Sequence, residues 1–151
     1  MKRRWIVALG SNLAGGEAAV SQGWRAAVAL LPLQRAQLSR VHLTDPAEAA
    51  VGPTFANAVG VGWSETEPLQ GLAVLQRIES AFGRDRHAEG FHGARPLDLD
   101  VIDVDGLIVC HPLLTLPHPR WAQRPFVVEP LAEVCPEFLA AAGENPTNPA
   151  G

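Results

Sequence analysis

The chain has 151 residues, of which 47% are hydrophobic, and a formal net charge of −4 at pH 7. This length suits one domain, and the acidic charge argues against a general nucleic-acid binder, since phosphate backbones are held by dense Lys and Arg surfaces. No apolar run approaches the roughly 18 residues of a membrane span, and residues 5–9 are too few for the core of a signal peptide. We therefore expect a cytoplasmic protein in which Cys110 and Cys135 are reduced thiols.

The hydrophobic pattern predicts a mixed order of strands and helices. Apolar runs and alternation predict strands, and helical spacing predicts two helices. In chain order these are a strand at 5–9, a helix at 17–31, strands at 37–44 and 55–63, and a helix at 68–82. Pro32 is expected to end the first helix, and Ser64-Glu-Thr-Glu67 has the capping-box pattern that precedes a second helix.

The sequence pattern in the second half of the chain predicts a hairpin and a short helical patch. Residues 97–104 and 107–110 are expected to pair across the Asp105-Gly106 turn, and residues 128–134 to form the helical patch. The order strand, helix, two strands, helix, strand suits an α+β, ferredoxin-like split βαβ sandwich with an antiparallel sheet. The C-terminal hairpin and the short helical extension add to this sandwich. We expect a single domain at 1–142 and a disordered tail at 143–151.

The predicted strand at 55–63 has one large face and one small face. Ala56, Ala58, Gly60 and Gly62 share the small face, where a helix could pack closely. Asn57 interrupts the other, mostly apolar face. A buried amide without partners costs about 1–3 kcal/mol, so Asn57 must bond to the backbone, to water or to a ligand.

The sequence Arg95-Pro-Leu-Asp98-Leu-Asp100 places two carboxylates on one strand face. Asp98 and Asp100 are expected to share that face with Ile102 and Val104, while Leu97, Leu99 and Val101 point the other way. Neighbouring carboxylates repel each other, and Mg²⁺ is held by one or two carboxylates and completes its shell with water and phosphates. The alternative is an exposed strand end with solvated or arginine-paired aspartates.

Several arginines lie near this strand in the sequence, and guanidinium groups suit phosphate oxygens. They are Arg84, Arg86, Arg95, Arg120 and Arg124, with His118 as a further possible donor. Each of them alone could equally be an ordinary surface residue. Their clustering around the Asp98-Leu-Asp100 strand favours a phosphate-binding enzyme.

These residues resemble the hydroxymethyldihydropterin pyrophosphokinase family over about residues 5–138. The shared marks, in chain order, are ALGSNL at 8–13, the Thr44 turn, Phe55-Ala-Asn57, QRIE at 76–79, GRDR at 83–86, GARPLDLDVI at 93–102, LPHPR at 116–120 and RPFVVEPLAEVCP at 124–136. The Arg-x-x-Asp-Leu-Asp core and the order of the marks are the specific part. The resemblance implies transfer of pyrophosphate from ATP to a pterin alcohol in folate synthesis, by a monomer that uses two Mg²⁺ ions.

The resemblance also implies a role for each matching position. Asp98 and Asp100 would hold the Mg²⁺ ions, and Arg84 and Arg95 would act with them in catalysis. Pterin would be bound by Thr44, Phe55, Asn57 and Phe126. ATP would be bound by Gln76, Arg86, Arg95, His118 and Arg124.

Two other classes of function remain open on the residues alone. One is a pterin- or nucleotide-binding module without turnover, although such a module has no need for two adjacent carboxylates on a buried face. The other is a small RNA-binding domain of the same fold class, which would require exposed aromatic residues on the sheet and a basic surface.

Overall fold

The computed structural model describes residues 1–13, 15–44, 54–83 and 96–144. The first half of the chain forms β1 (Arg3–Ser11), α1 (Gly16–Leu30), β2 (Gln34–Leu38), β3 (His42–Thr44), β4 (Phe55–Ser64) and α2 (Pro68–Ala81). The second half forms β5 (Asp98–Val104), β6 (Val109–His111), β7 (Leu114–Leu116), a 3₁₀ turn at Trp121–Gln123, α3 (Pro125–Val134) and α4 (Pro136–Glu144). Arg84, Arg86 and Arg95 lie outside the described residues, as does most of the expected tail.

The main sheet is antiparallel with the order β2-β4-β1-β5, and β3 also pairs with β4. This order and the two helices that connect its halves are those of a split βαβ sandwich. The predicted α+β, ferredoxin-like class is therefore confirmed. None of the described helices is both long and apolar enough to cross a membrane.

Helices α1 and α2 pack on one face of this sheet and form the larger core with it. The small residues of β4 permit the close approach that the sequence predicts: a Cβ on Gly60 would lie 2.5 Å from the ring of Trp24 in α1. On α2, Gly71 makes room in the same way for the ring of Trp5 from β1. Interiors packed this tightly leave little freedom for either helix to shift.

The opposite face of the sheet is only partly covered. Val127 and Leu131 of α3 pack with Val59 and Val61 of β4 in a second core. At the other end of this face, Asn57, Asp98 and Asp100 remain beside an open cavity. The C-terminal helices thus bury half of the face and leave the functional candidates accessible.

A bulge in β5 changes the predicted alternation. Val7 pairs with Val101 but Ile6 pairs with Asp103, so Ile102 is an extra residue in the ladder. As a result Val104 joins the core under α1 and α2, whereas Ile102 lies in the core under α3. The expectation that Val104 shares a face with Asp98 and Asp100 is therefore wrong, because strict alternation ends at the bulge.

Three local predictions also need correction. The expected strand at 37–44 is two short strands, β2 and β3, which pair with different parts of β4. Residues 107–110 do not form a hairpin with β5; instead β6 pairs with β7. In β5 the carbonyl of Ile102 accepts a backbone hydrogen bond of 2.8 Å from His118, which lies beyond β7. The capping box does not form, since the Ser64 hydroxyl donates to the carbonyl of Leu31 and α2 begins after Glu67.

Candidate active site

A cavity of about 370 Å³ opens on the uncovered part of the sheet. We call it the Asn57 cavity. Its lining residues are Gly10, Ser11, Asn12, Thr44, Phe55, Asn57, Asp98, Asp100, Arg124 and Phe126. All four expected pterin-binding residues are among them, although they come from β3, β4 and the start of α3.

Asp98 and Asp100 stand on one wall of the Asn57 cavity, as the alternation of β5 before its bulge requires. Both are only partly exposed, and Nη1 of Arg124 lies 3.8 Å from Oδ2 of Asp100. The guanidinium offsets part of the repulsion between the carboxylates, since opposite charges at this distance attract. The site therefore combines two carboxylates with a guanidinium group that could also bind phosphate oxygens.

Strand β5 is held in place by a buried carboxylate from α2. Glu79 is 1% exposed, and its Oε2 accepts a hydrogen bond of 2.8 Å from the backbone N–H of Leu99. Leu99 lies between the two aspartates on what is the edge strand of the sheet. Glu79 thus fixes the backbone that presents Asp98 and Asp100.

Asn57 is a buried amide on the wall of the Asn57 cavity. It is 8% exposed, and its Nδ2 donates a long hydrogen bond of 3.5 Å to Oγ1 of Thr44. Gly10 is its register partner on β1, and a Cβ there would lie 3.0 Å from Oδ1 of Asn57. The amide is therefore packed over a residue without a side chain.

Two aromatic rings and one guanidinium complete the Asn57 cavity. Phe55 is partly buried, whereas Phe126 is 41% exposed at the start of α3. The guanidinium carbon of Arg124 lies 5.6 Å from the centre of the Phe126 ring, within cation–π range. A flat heterocycle could stack on such rings while an amide reads its edge.

A second cavity, of about 320 Å³, adjoins the first, and we call it the His118 cavity. Gln76 from α2 and His118 both line it, together with Leu72, Leu99, Val101, Pro112, Leu113, Leu114, Thr115 and Pro119. Asp100 lines both cavities. The expected pterin-binding residues therefore lie on one side of Asp100, and two expected ATP-binding residues, Gln76 and His118, lie on the other. Arg124, also expected to bind ATP, lines the Asn57 cavity instead.

The ring of His118 is poised as a neutral donor. Burial lowers its pKa below 6.5, the charges of Arg124 and Arg120 lower it further, and Asp98 opposes them. The backbone N–H of Arg120 donates a 3.1 Å hydrogen bond to Nδ1 of His118. In the neutral ring Nε2 must then carry the proton, so this nitrogen can donate to a ligand.

Sequence reasoning missed several residues of the site. Gly10, Ser11 and Asn12 were quoted only as part of a motif, yet they line the Asn57 cavity. The available clue was the Gly-Ser-Asn sequence directly after the apolar run at 5–9, because ligands often bind where strands end. Glu79 belongs to the motif QRIE at 76–79, but its role could not be predicted because it depends on contact with β5.

The donor set fits a hard cation. Among residues 1–13, 15–44, 54–83 and 96–144, no three His, Cys, Asp or Glu side chains cluster as a closed metal site. Asp98 and Asp100 offer only carboxylate oxygens on the wall of a cavity. Such a pair suits Mg²⁺, which leaves several coordination positions to water and substrate phosphates.

Comparisons with known proteins identify the family of the chain. A family model described as 7,8-dihydro-6-hydroxymethylpterin-pyrophosphokinase (HPPK) matches residues 6–136. The chain is 33% identical over 145 residues to the 2-amino-4-hydroxy-6-hydroxymethyldihydropteridine pyrophosphokinase of Pseudomonas aeruginosa, covering 96% of this chain and 88% of the relative. The protein of the same name from Bacillus subtilis is 32% identical over 149 residues, covering 96% and 86%.

Among solved structures, the chain is similar to "HPPK-DHPS in complex with substrates", with a TM-score of 0.65 and 10% sequence identity. The match covers 91% of this chain and 41% of that one, and at this identity it shows the fold alone. The sequence matches, by contrast, cover almost the whole chain. The chain belongs to the 7,8-dihydro-6-hydroxymethylpterin-pyrophosphokinase family.

Proposed function

We propose that the Asn57 cavity binds the pterin, that the His118 cavity binds ATP, and that the reaction takes place beside Asp100. Family membership assigns the reaction: the chain transfers pyrophosphate from ATP to the hydroxymethyl group of 6-hydroxymethyl-7,8-dihydropterin, in folate synthesis. The observation that carries the proposal is that Asp100 lines both cavities. Two substrates that must react are then held on either side of one carboxylate.

The pterin side of the proposal depends on an amide and two rings. Asn57 would hydrogen-bond to the edge of the pterin, and Phe55 and Phe126 would pack on its faces. Thr44 would contact the same ligand from β3. Held in this way, the hydroxymethyl oxygen is directed towards the phosphates, and orientation of this kind replaces much of the entropic cost of bringing two reactants together.

The ATP side depends on donors that meet phosphate oxygens. His118 would donate from Nε2, and Gln76 and Arg124 would contact the nucleotide or its phosphates. Arg86 and Arg95 are proposed for the same role and Arg84 for catalysis, on the strength of the motif that contains them. Asp98 and Asp100 would hold two Mg²⁺ ions, which when bound would offset charge on the triphosphate.

The bond changes follow from the products. The hydroxymethyl oxygen attacks the β-phosphorus of ATP, and the bond between that phosphorus and the α–β bridging oxygen breaks. AMP leaves with the bridging oxygen, and the proton of the pterin hydroxyl is released to solvent. Negative charge develops on phosphate oxygens during this step, and fixed donors such as Arg124 and His118 Nε2–H stabilise it.

We also propose that the chain acts as a monomer in the cytoplasm.

The test is AMP formation from ATP and hydroxymethyldihydropterin, with and without Mg²⁺. Asp98→Asn and Asp100→Asn keep the shape of each side chain but remove its charge, and we expect turnover to fall by about 100-fold or more while pterin affinity is kept. Asp105→Asn is the matched control, because Asp105 is exposed in the turn directly after β5. Formation of ADP would contradict attack at the β-phosphorus. Pterin binding without any nucleotide product would instead indicate a binding module.

A further inference from the structure

An ionic cluster is formed by Arg40, His42 and Glu133, and we call it the Glu133 cluster. The backbone N–H of Arg40 donates a 3.0 Å hydrogen bond to Oε1 of Glu133, and Nε of Arg40 lies 3.5 Å from the same oxygen. Nε2 of His42 forms a hydrogen bond with Oε2 of Glu133. Both carboxylate oxygens are thus engaged by the segment that leads into β3.

The Glu133 cluster joins β3 and α3, each of which contributes a residue to the cavity lining. His42 begins β3, and Thr44, which lines the cavity, ends it. Glu133 lies in the last turn of α3, and Phe126 lies in its first turn, about 10 Å away along the helix axis at 1.5 Å per residue. A contact between His42 and Glu133 therefore constrains how far Thr44 and Phe126 can separate.

Strand β3 has few other attachments among the described residues. It pairs with β4 over only three positions, and His42 is the register partner of Asn57. Partners in a sheet present their side chains on the same face, so the imidazole of His42 neighbours the amide of Asn57. The cluster thus adjoins the residue that we propose reads the pterin.

Two of the three side chains of the Glu133 cluster are largely shielded from solvent. The side chains of His42 and Glu133 are 18% and 28% exposed, whereas that of Arg40 is 81% exposed. Burial raises the pKa of Glu133, but the hydrogen bonds from Arg40 and His42 and the charges of those residues outweigh it and hold the pKa below its usual range. Glu133 is therefore a carboxylate at neutral pH, fully engaged with β3.

We propose that Glu133 and His42 are positioning residues for the pterin: their contact fixes the separation between Thr44 and Phe126 and thereby the width of the Asn57 cavity. This inference rests on the proposed function, because it assigns the width of the cavity to one substrate. It distinguishes the two substrates, since Gln76 and His118 of the other cavity have no contact with the cluster among the described residues. Arg124, the proposed ATP contact at the N-terminus of α3, lies nine residues before Glu133, or about 13 Å along the helix axis. Loss of the cluster is therefore expected to weaken pterin binding more than ATP binding.

The experiment compares Glu133→Gln with wild type by equilibrium binding of the pterin, followed through its fluorescence, and by the KM for ATP. We expect the Kd for pterin to rise about five- to tenfold, as for loss of a charge-assisted hydrogen bond of which only part is transmitted. The KM for ATP is expected to stay within about twofold, since no contact to the His118 cavity is lost. Glu129→Gln is the matched control, because Glu129 is exposed on the same helix.

Substitutions of His42 provide a second, independent measurement. His42→Gln keeps a side-chain N–H that can donate to Glu133 and should retain pterin affinity, whereas His42→Leu should lose it to the same extent as Glu133→Gln. The double variant His42→Leu/Glu133→Gln should be no worse than the more damaging single variant, because both remove one contact. If Glu133→Gln does not fold, the comparison of His42→Gln with His42→Leu decides the question.

Two outcomes would overturn the inference: unchanged pterin affinity in a folded Glu133→Gln protein, or equal losses for pterin and ATP, which would indicate a general structural role. Failure of the proposed site would look different. In that case Asn57→Ala would also leave pterin affinity unchanged. Weakened binding in Asn57→Ala together with normal binding in Glu133→Gln would reject the cluster and keep the site.

Discussion

Gly10 is predicted to determine how Asn57 meets the pterin, although it has no side chain of its own. The two residues are register partners on β1 and β4, and the Asn57 amide lies over the glycine. Gly10→Ala would add a Cβ 3.0 Å from Oδ1 of Asn57 and 3.8 Å from the carbonyl oxygen of Ala56. The second contact is ordinary, so the first alone decides the outcome.

The magnitude follows from what must move. A separation of 3.0 Å is a few tenths of an ångström too short for a carbon and an amide oxygen, and the amide can yield by rotating or shifting within the cavity. Either movement misaligns its hydrogen bonds with the pterin edge, and a misdirected buried hydrogen bond costs about 1–3 kcal/mol, or roughly 5- to 150-fold in Kd. Asp98 lies on the far side of Gly10, and none of its atoms is among the contacts of the added Cβ.

The assay is pterin binding measured in a double-mutant cycle with Asn57→Ala. Gly10→Ala should weaken pterin binding in the wild-type background and have little further effect once Asn57 is alanine, because the oxygen that it displaces is absent. The KM for ATP should change little in either protein. Gly143→Ala is a suitable control, since Gly143 is exposed in α4 and a Cβ there meets open space.

The reasoning is refuted if the two substitutions are additive, because Gly10→Ala would then act through something other than Asn57. Unchanged pterin affinity in Gly10→Ala would refute it as well, by showing that the amide moves without cost. A general loss of stability, measured by urea denaturation, would have to be separated from both results before the cycle is interpreted.

Three further predictions concern the core, the edge strand and the Glu133 cluster. Gly60→Ala would bring a Cβ within 2.5 Å of the Trp24 ring and should lower the free energy of unfolding by about 1–3 kcal/mol, with partial recovery in Gly60→Ala/Trp24→Leu; an unchanged urea midpoint would contradict this packing. Glu79→Leu leaves the Leu99 N–H without its acceptor, so kcat should fall more than pterin affinity, whereas Glu79→Gln keeps an acceptor oxygen; equal activity of the two variants would count against this role. The pKa of Glu133 is lower in the folded protein than its ordinary value of 4.5, so its stabilising effect is complete above pH 4.5 and is lost as pH falls through the folded pKa. The difference in unfolding free energy between wild type and Glu133→Gln should therefore shrink below pH 4.5. A difference that does not change with pH would exclude this linkage.

The sequence by itself determined the fold class and which strand faces carry the candidate site residues. Asp98 and Asp100 share a face because alternation is a local property of a strand, and the same rule placed Asn57 opposite the small face of β4. The glycines of that small face predicted a closely packed helix, and in the structure this helix is α1, whose Trp24 ring packs against Gly60. Each of these inferences needed only neighbouring residues in the chain.

Tertiary structure alone decided which strands pair, where β5 bulges and how the cavities meet. The bulge at Ile102 moves Val104 to the other face, and β6 pairs with β7 rather than with β5. The position of Asp100 between two cavities and the contact of Glu133 with His42 join residues that are far apart in sequence. Such contacts depend on packing energies summed over the whole domain, so no local pattern of residues encodes them.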